Sequence, residues 1–134
     1  MGQQRFKFLV LKRYGPCCAI CGIDVPQLLD AAHIVPKEKG GTDDPRNGLV
    51  LCALHHRAFD AKFIAIAPAD TKVHIMKIGL DRAKLNITRA NLKHLVAEPH
   101  VDALAMRWKL CADSDTCTAA CDPKSGDSLN STII

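Results

Sequence analysis

Aromatic residues are scarce in this chain: one Trp, one Tyr and four Phe in 134 residues. A core filled mostly by small aliphatic side chains is thin, and a domain of this length gains from a metal or another staple. Long apolar runs are also missing. None approaches the roughly 18 residues that a membrane span needs, so no membrane partner is expected. The opening Met1-Gly2-Gln3-Gln4-Arg5-Phe6-Lys7 is too charged, and its apolar stretch too short, for a secretion signal. The cytoplasm is the expected compartment. Acidic residues are thinly spread outside the C-terminus. The net charge is +4, but the last 24 residues hold four Asp and one Lys, which leaves 17 basic against 10 acidic residues, or +7, in the rest. A basic body of this size suits a polyanion such as nucleic acid, although many soluble domains are mildly basic.

Cysteine, by contrast, is plentiful, with seven residues. The odd count, the Cys-x-x-Cys spacing and the neighbouring histidines favour metal binding over a secreted disulfide scaffold. Tetrahedral zinc takes four Cys or His ligands, commonly as two pairs with two residues between the members of each. Cys18 and Cys21 form one such pair; Cys52 and His55 form the other. The long gap between the pairs brings the first knuckle back against the second and clamps what lies between. Cys17 is the alternative to Cys18, at the less favourable three-residue spacing.

Apolar and polar patterning places the elements. Phe6, Leu9, Val10 and Tyr14 predict a helix from Gln3 to Tyr14, stopped by Gly15-Pro16. Leu28 to Val35 and Gly48 to Leu51 read as short strands joined by the polar loop Lys37 to Asn47, and Cys52 to Ala61 reads as a helix. Phe63 to Ala67 and Lys72 to Lys77 alternate around Pro68-Ala69-Asp70-Thr71, which suggests a hairpin. A short helix capped by Thr88 is expected over Thr88 to Leu95. A further helix is expected from Pro99 to Leu110, with Val101, Leu104, Ala105 and Trp108 on its apolar stripe. Residues 1–110 are then one domain with its core at 17–62, and 111–134 read as a polar, disordered tail. Cys111, Cys117 and Cys121 are expected as surface thiols in that tail.

Several residues inside the clamp suit phosphodiester chemistry. Such hydrolysis needs a base near neutral pH and a cation that offsets charge on the phosphate and the leaving oxygen. His33 on the first strand is a candidate base, although a lone strand histidine is more often a packed core residue. Asp30 and Ala32 share one strand face and His33 lies on the other. On the helix, His56 and Asp60 share a face, while His55 sits about 100° round from His56. His55 can therefore serve the zinc while His56, helped by Asp30 or Asp60, holds a second divalent ion such as Mg²⁺ or Mn²⁺. Asn47 is either a turn residue before Gly48 or a brace that bonds the loop backbone near His33.

These pieces, Cys-Ala-Ile-Cys-Gly at 18–22, Asp-Ala-Ala-His-Ile-Val-Pro at 30–36, Asn-Gly-Leu-Val-Leu-Cys at 47–52 and Leu-His-His-Arg-Ala-Phe-Asp at 54–60, together resemble the HNH endonuclease family. The resemblance implies an α+β fold with a ββα-metal (His-Me finger) core and structural zinc. It also implies flanking by an N-terminal helix, a β-hairpin and a C-terminal helix. It implies His33 as the base that activates water, Asn47 as the loop brace, His56 as the metal ligand, and products ending in 5′-phosphate and 3′-hydroxyl. Over residues 3–110 the chain is also similar to the HNH domains of modification-dependent bacterial restriction endonucleases, which implies a role in restriction or defence. Two positions depart from the family. Ala32 stands where many members carry a metal-binding Asp or His, with Asp30 on the same face as a substitute, and His55 stands where the second zinc pair often ends in Cys. Arg5, Lys12, Arg13, Arg46 and Arg57 are candidate phosphate contacts. The alternative is a zinc-stapled nucleic-acid-binding module without catalysis. A chain this short leaves little room for sequence recognition, which leaves open a homodimer or a separate recognition subunit.

Overall fold

The computed structural model describes residues 2–112. The first helix, α1 (Gly2–Tyr14), buries Phe6, Val10 and Tyr14 along one stripe, the spacing at which successive turns share a face. Lys12 and Arg13 occupy its last turn, where cations complement the helix dipole. Gly15, at φ 92°, ends it. Its lasting hold is the apolar stripe: burying one side chain of the size of Phe6 contributes about 1.5–3 kcal/mol, more than the 0–1 kcal/mol typical of an exposed ion pair.

The stripe packs on a two-stranded antiparallel ribbon, β1 (Leu29–His33) and β2 (Gly48–Cys52). The register pairs Leu29 with Cys52 and His33 with Gly48. All five residues of β2 are buried, which requires cover on both of its faces. The second helix, α2 (Ala53–Asp60), also packs on both strands and buries His55, Ala58 and Phe59. This ββα unit is the centre of the molecule. The loop from β1 to β2 carries two short 3₁₀ turns, Lys37–Lys39 and Pro45–Asn47. It folds back so tightly that a Cβ on Gly41 would lie 1.8 Å from the Val35 carbonyl oxygen.

A second antiparallel pair follows, β3 (Ile64–Ile66) with β4 (Val73–Ile75), and α3 (Val101–Ala112) packs against β3. The α+β architecture with its flanking helices and hairpin thus matches the sequence expectation. Three details differ. Residues 88–95 are not helical. The Thr88 hydroxyl and the amides of Thr88 and Arg89 turn to the Ile20 carbonyl, and Asn91 bridges to Lys72, so the segment is spent on long-range pairing. The buried face of α3 carries Ala103, Leu104, Arg107 and Cys111, while Val101 and Ala105 are exposed. Cys111, 1% exposed and packed with Ala65 and Met76, belongs to that helix and is no surface thiol. Cys117, Cys121 and the rest of the expected tail beyond Ala112 lie outside the described residues.

Candidate metal centre and cleft

The knuckle after α1 turns at Gly22, φ 79°, whose amide bonds back to the Cys18 carbonyl at 2.9 Å. This brings Cys18 and Cys21 against Cys52, at the end of β2, and His55, one turn into α2. One ligand atom from each of the four lies within 4.8 Å of the others. Among the described residues this is the only such convergence of three or more His, Cys, Asp or Glu. His55 is fully buried. Its Nδ1 lies 3.3 Å from Cys52 Sγ and 3.5 Å from Cys18 Sγ, while its Nε2 lies 2.7 Å from the Leu85 carbonyl. That carbonyl can only accept, so Nε2 carries the proton and Nδ1 turns its lone pair to the sulfurs, the arrangement of a metal-ligating histidine. Cys17 faces elsewhere, its Sγ donating to the Gly22 carbonyl at 3.3 Å.

The thiols oppose one another electrically. Burial pushes the Cys18 thiol up, but its contact with the His55 ring and backbone hydrogen bonds outweigh it and bring it down to about 6. Burial drives Cys21 up to about 12, with the Cys18 charge adding to the rise, and burial likewise raises Cys52. Three adjacent sulfurs cannot all ionise without a counter-charge, and a divalent cation supplies one. The Cys₃His group can hold a tetrahedral metal ion.

A separate cleft of about 890 Å³ opens on the other side of α2, lined among others by His33, Asp43, His56, Asp60 and Lys62. Successive residues of α2 thus divide: His55 faces the sulfurs and His56 the cleft. His56 is flanked by carboxylates on both ring edges, Nδ1 2.9 Å from Asp30 and Nε2 3.3 Å from Asp60. Of these two acids, Asp60 lines the cleft and Asp30 does not. His33 projects into the same cleft from the end of β1. Its ring stacks on Phe6 at 3.9 Å between centroids and 5° between planes, and its Nε2 lies 2.9 Å from Asp43. Gly48, opposite His33 in the register, makes room for that stack: a Cβ there would lie 2.8 Å from the Phe6 ring.

Asn47 is buried. Its amide oxygen accepts from the Val35 amide at 2.9 Å, and its nitrogen donates to the carbonyls of Val35 and Thr42 at 3.1 and 2.9 Å. It therefore ties both ends of the loop to the exit of β1, one residue past Ile34. In the cleft wall, the buried Arg107 donates to the carbonyls of Ile34 and Phe59 and lies over the Phe59 ring at 4.1 Å. Burial lowers its pKa, and the charge of Asp60 opposes that shift.

The five cations proposed from sequence for phosphate contact do not line the cleft. Arg46 is paired with Asp44 at 3.0 Å, Arg13 donates to the Glu98 carbonyl, Lys12 lies over the Phe8 ring at 6.0 Å, and Arg5 and Arg57 are exposed elsewhere. The cleft's own lysines are Lys37, Lys39 and Lys62. Sequence reasoning missed them, along with Asp43, Arg107 and the Leu85 carbonyl. Lys37, Lys39 and Asp43 sit in a stretch whose composition signals only a loop. Lys62, with φ 65°, follows α2 at a position that nothing local singles out.

A ββα hairpin-and-helix unit with a Cys₃His group on one side of its helix and two histidines with carboxylates in a cleft on the other defines the ββα-metal class of nuclease-type domains. Residues 18–67, from Cys18 to just past β3, match the model of the HNH endonuclease family. No curated protein matches the chain. Among the described residues, no helix is long and apolar enough to cross a membrane.

Proposed function

We propose that the protein is a metal-dependent DNA endonuclease that hydrolyses phosphodiester bonds to 5′-phosphate and 3′-hydroxyl ends, in restriction or defence. The observation that carries this reading is the shared cleft: His33 and the His56–Asp60 pair line one opening, separated by the thickness of α2 from the Cys₃His group. In this reading His33 takes a proton from water, the water oxygen bonds to phosphorus, the bond to the 3′-oxygen breaks, and that oxygen takes a proton from solvent. A divalent ion such as Mg²⁺ or Mn²⁺, held by His56 Nε2 and Asp60, supplies positive charge for the phosphate and the leaving oxygen. Asp30 then orients His56 from Nδ1. Lys37, Lys39 and Lys62 contact the phosphate backbone, and Asn47 holds the loop that carries two of them. Cys18, Cys21, Cys52 and His55 hold Zn²⁺ as a staple, and such thiolates belong in a reducing compartment, the cytoplasm.

Plasmid relaxation tests this. The zinc-loaded protein with Mg²⁺ or Mn²⁺ should nick supercoiled DNA. His33→Ala should lose roughly two to four orders of magnitude in rate, the usual contribution of a general base, at unchanged zinc content. Equal nicking by wild type and His33→Ala removes His33 as the base. DNA binding without nicking by wild type favours the non-catalytic module instead.

A further inference from the structure

The loop acid Asp43 has no part in the nuclease chemistry proposed for the cleft, yet it makes a direct polar contact with the His33 ring. Its two carboxylate oxygens are divided. Oδ1 lies 2.9 Å from His33 Nε2, and Oδ2 lies 2.9 Å from Lys37 Nζ. The Phe6 stack at 5° fixes the plane of the imidazole, and the Asp43 bond fixes its rotation within that plane. Two constraints of different kind therefore hold one ring, and neither comes from the β1–β2 ladder.

We propose that Asp43 is the positioning residue of His33: it accepts a hydrogen bond from Nε2–H, forces the tautomer with a bare Nδ1, and so aims that lone pair at the water to be activated. Lys37 occupies the second oxygen and keeps the carboxylate from rotating away. This deepens the nuclease reading and rests on it for the word catalysis, but the tautomer itself does not depend on activity. The chemistry follows from hydrogen-bond inventory. An ionised carboxylate only accepts, so the nitrogen facing it must donate, and a neutral imidazole then has its lone pair on the other nitrogen. The contacts with His33 and then Lys37 hold the Asp43 carboxyl below its usual range, so it is ionised wherever His33 is neutral. Among the described residues, Lys37 on the same loop, the uncharged Phe6 ring of α1 and the backbone of Gly2 face the pair. During turnover Nδ1 takes the proton from water and Nε2–H keeps its bond to Asp43, so the imidazolium forms beside a carboxylate. Asp43 lies ten residues from His33 in sequence, in a stretch whose Gly, Thr, Asp and Pro read as turn chemistry alone.

The test combines ring-nitrogen NMR with kinetics on the full zinc-loaded chain. Long-range ¹H–¹⁵N spectra at a pH where the ring is neutral, with His33 assigned by the signals lost in His33→Ala, should show Nε2 protonated and Nδ1 bare. Asp43→Asn, whose amide can donate as well as accept, should mix the tautomers. In plasmid cleavage it should lower kcat by about tenfold or more, within the range of a misaligned base, with KM changed less than about twofold. Asp43→Glu, which keeps the carboxylate, should recover part of kcat. An Nδ1-protonated His33 in wild type overturns the proposal, as does an unchanged tautomer or unchanged kcat in Asp43→Asn. A wild type that cuts no DNA sinks the nuclease reading, and the ring spectrum still decides whether Asp43 sets the tautomer.

Discussion

Asp44 shows how closely single residues in the cleft loop are tied to protonation. Its carboxylate caps the turn at Pro45–Asn47 by accepting from the Arg46 amide at 2.9 Å, and it pairs with the Arg46 guanidinium at 3.0 Å. The Arg46 side chain, then its backbone amide, hold the Asp44 carboxyl down at about 2. Because the folded value lies below that of an unfolded Asp, about 3.9, the contribution to stability is present above the unfolded value and is lost as pH falls through the folded one. Asp44→Asn should therefore lower Tm by a small, constant amount above about pH 5, small because the pair is exposed. The gap should close between about pH 4 and 2, as thermal melts across that range would show. At this scale the sequence spoke clearly where a residue type has one dominant use. Cysteines at Cys-x-x-Cys spacing and adjacent histidines on a helix announce their geometry. It was silent on Asp43, Asp44 and the cleft lysines, whose partners are set by loop closure rather than by any period.

The elements that could be read from sequence are those whose own periodicity specifies them. The Phe6, Val10 and Tyr14 stripe, the β1–β2 ribbon and the buried side of α2 all follow from spacing. Helix α3 forms where its spacing predicts but turns a different face inward, because its buried face includes a cation. Arg107 defeats a reading based on apolar residues: its charge is met by the carbonyls at the end of β1 and the end of α2. Residues 88–95 failed for the opposite reason, since helical spacing gave way to pairing with Ile20 and Lys72 that only the tertiary structure provides. Arg107 is also the tie between α3 and the ββα unit. Arg107→Met keeps much of the side-chain volume but orphans two carbonyls, at about 1–3 kcal/mol for each buried acceptor left unsatisfied. Urea unfolding should show a loss of that order. Arg107→Lys should restore little of it, because an ammonium lacks the planar fork that reaches both acceptors.

For the molecule as a whole, the short helix α2 organises everything. The residue at position 55 turns toward three sulfurs and the residue at 56 toward a cleft, so one helix divides a scaffold site from a candidate reactive site. Sequence spacing carried that division, because adjacent helix residues must diverge by about 100°. It did not carry the cationic lining, which forms only when the loop after β1 and the turn after α2 meet at one opening. The central claim is that two ions occupy the two faces of this helix. Crystals of the zinc-loaded protein soaked in Mn²⁺ and measured at both absorption edges test it most directly. The account predicts a zinc peak among Cys18, Cys21, Cys52 and His55, and a separate manganese peak at the Nε2 edge of His56 beside Asp60, facing His33. A single ion at the cysteines, or a manganese peak outside the cleft, would contradict it.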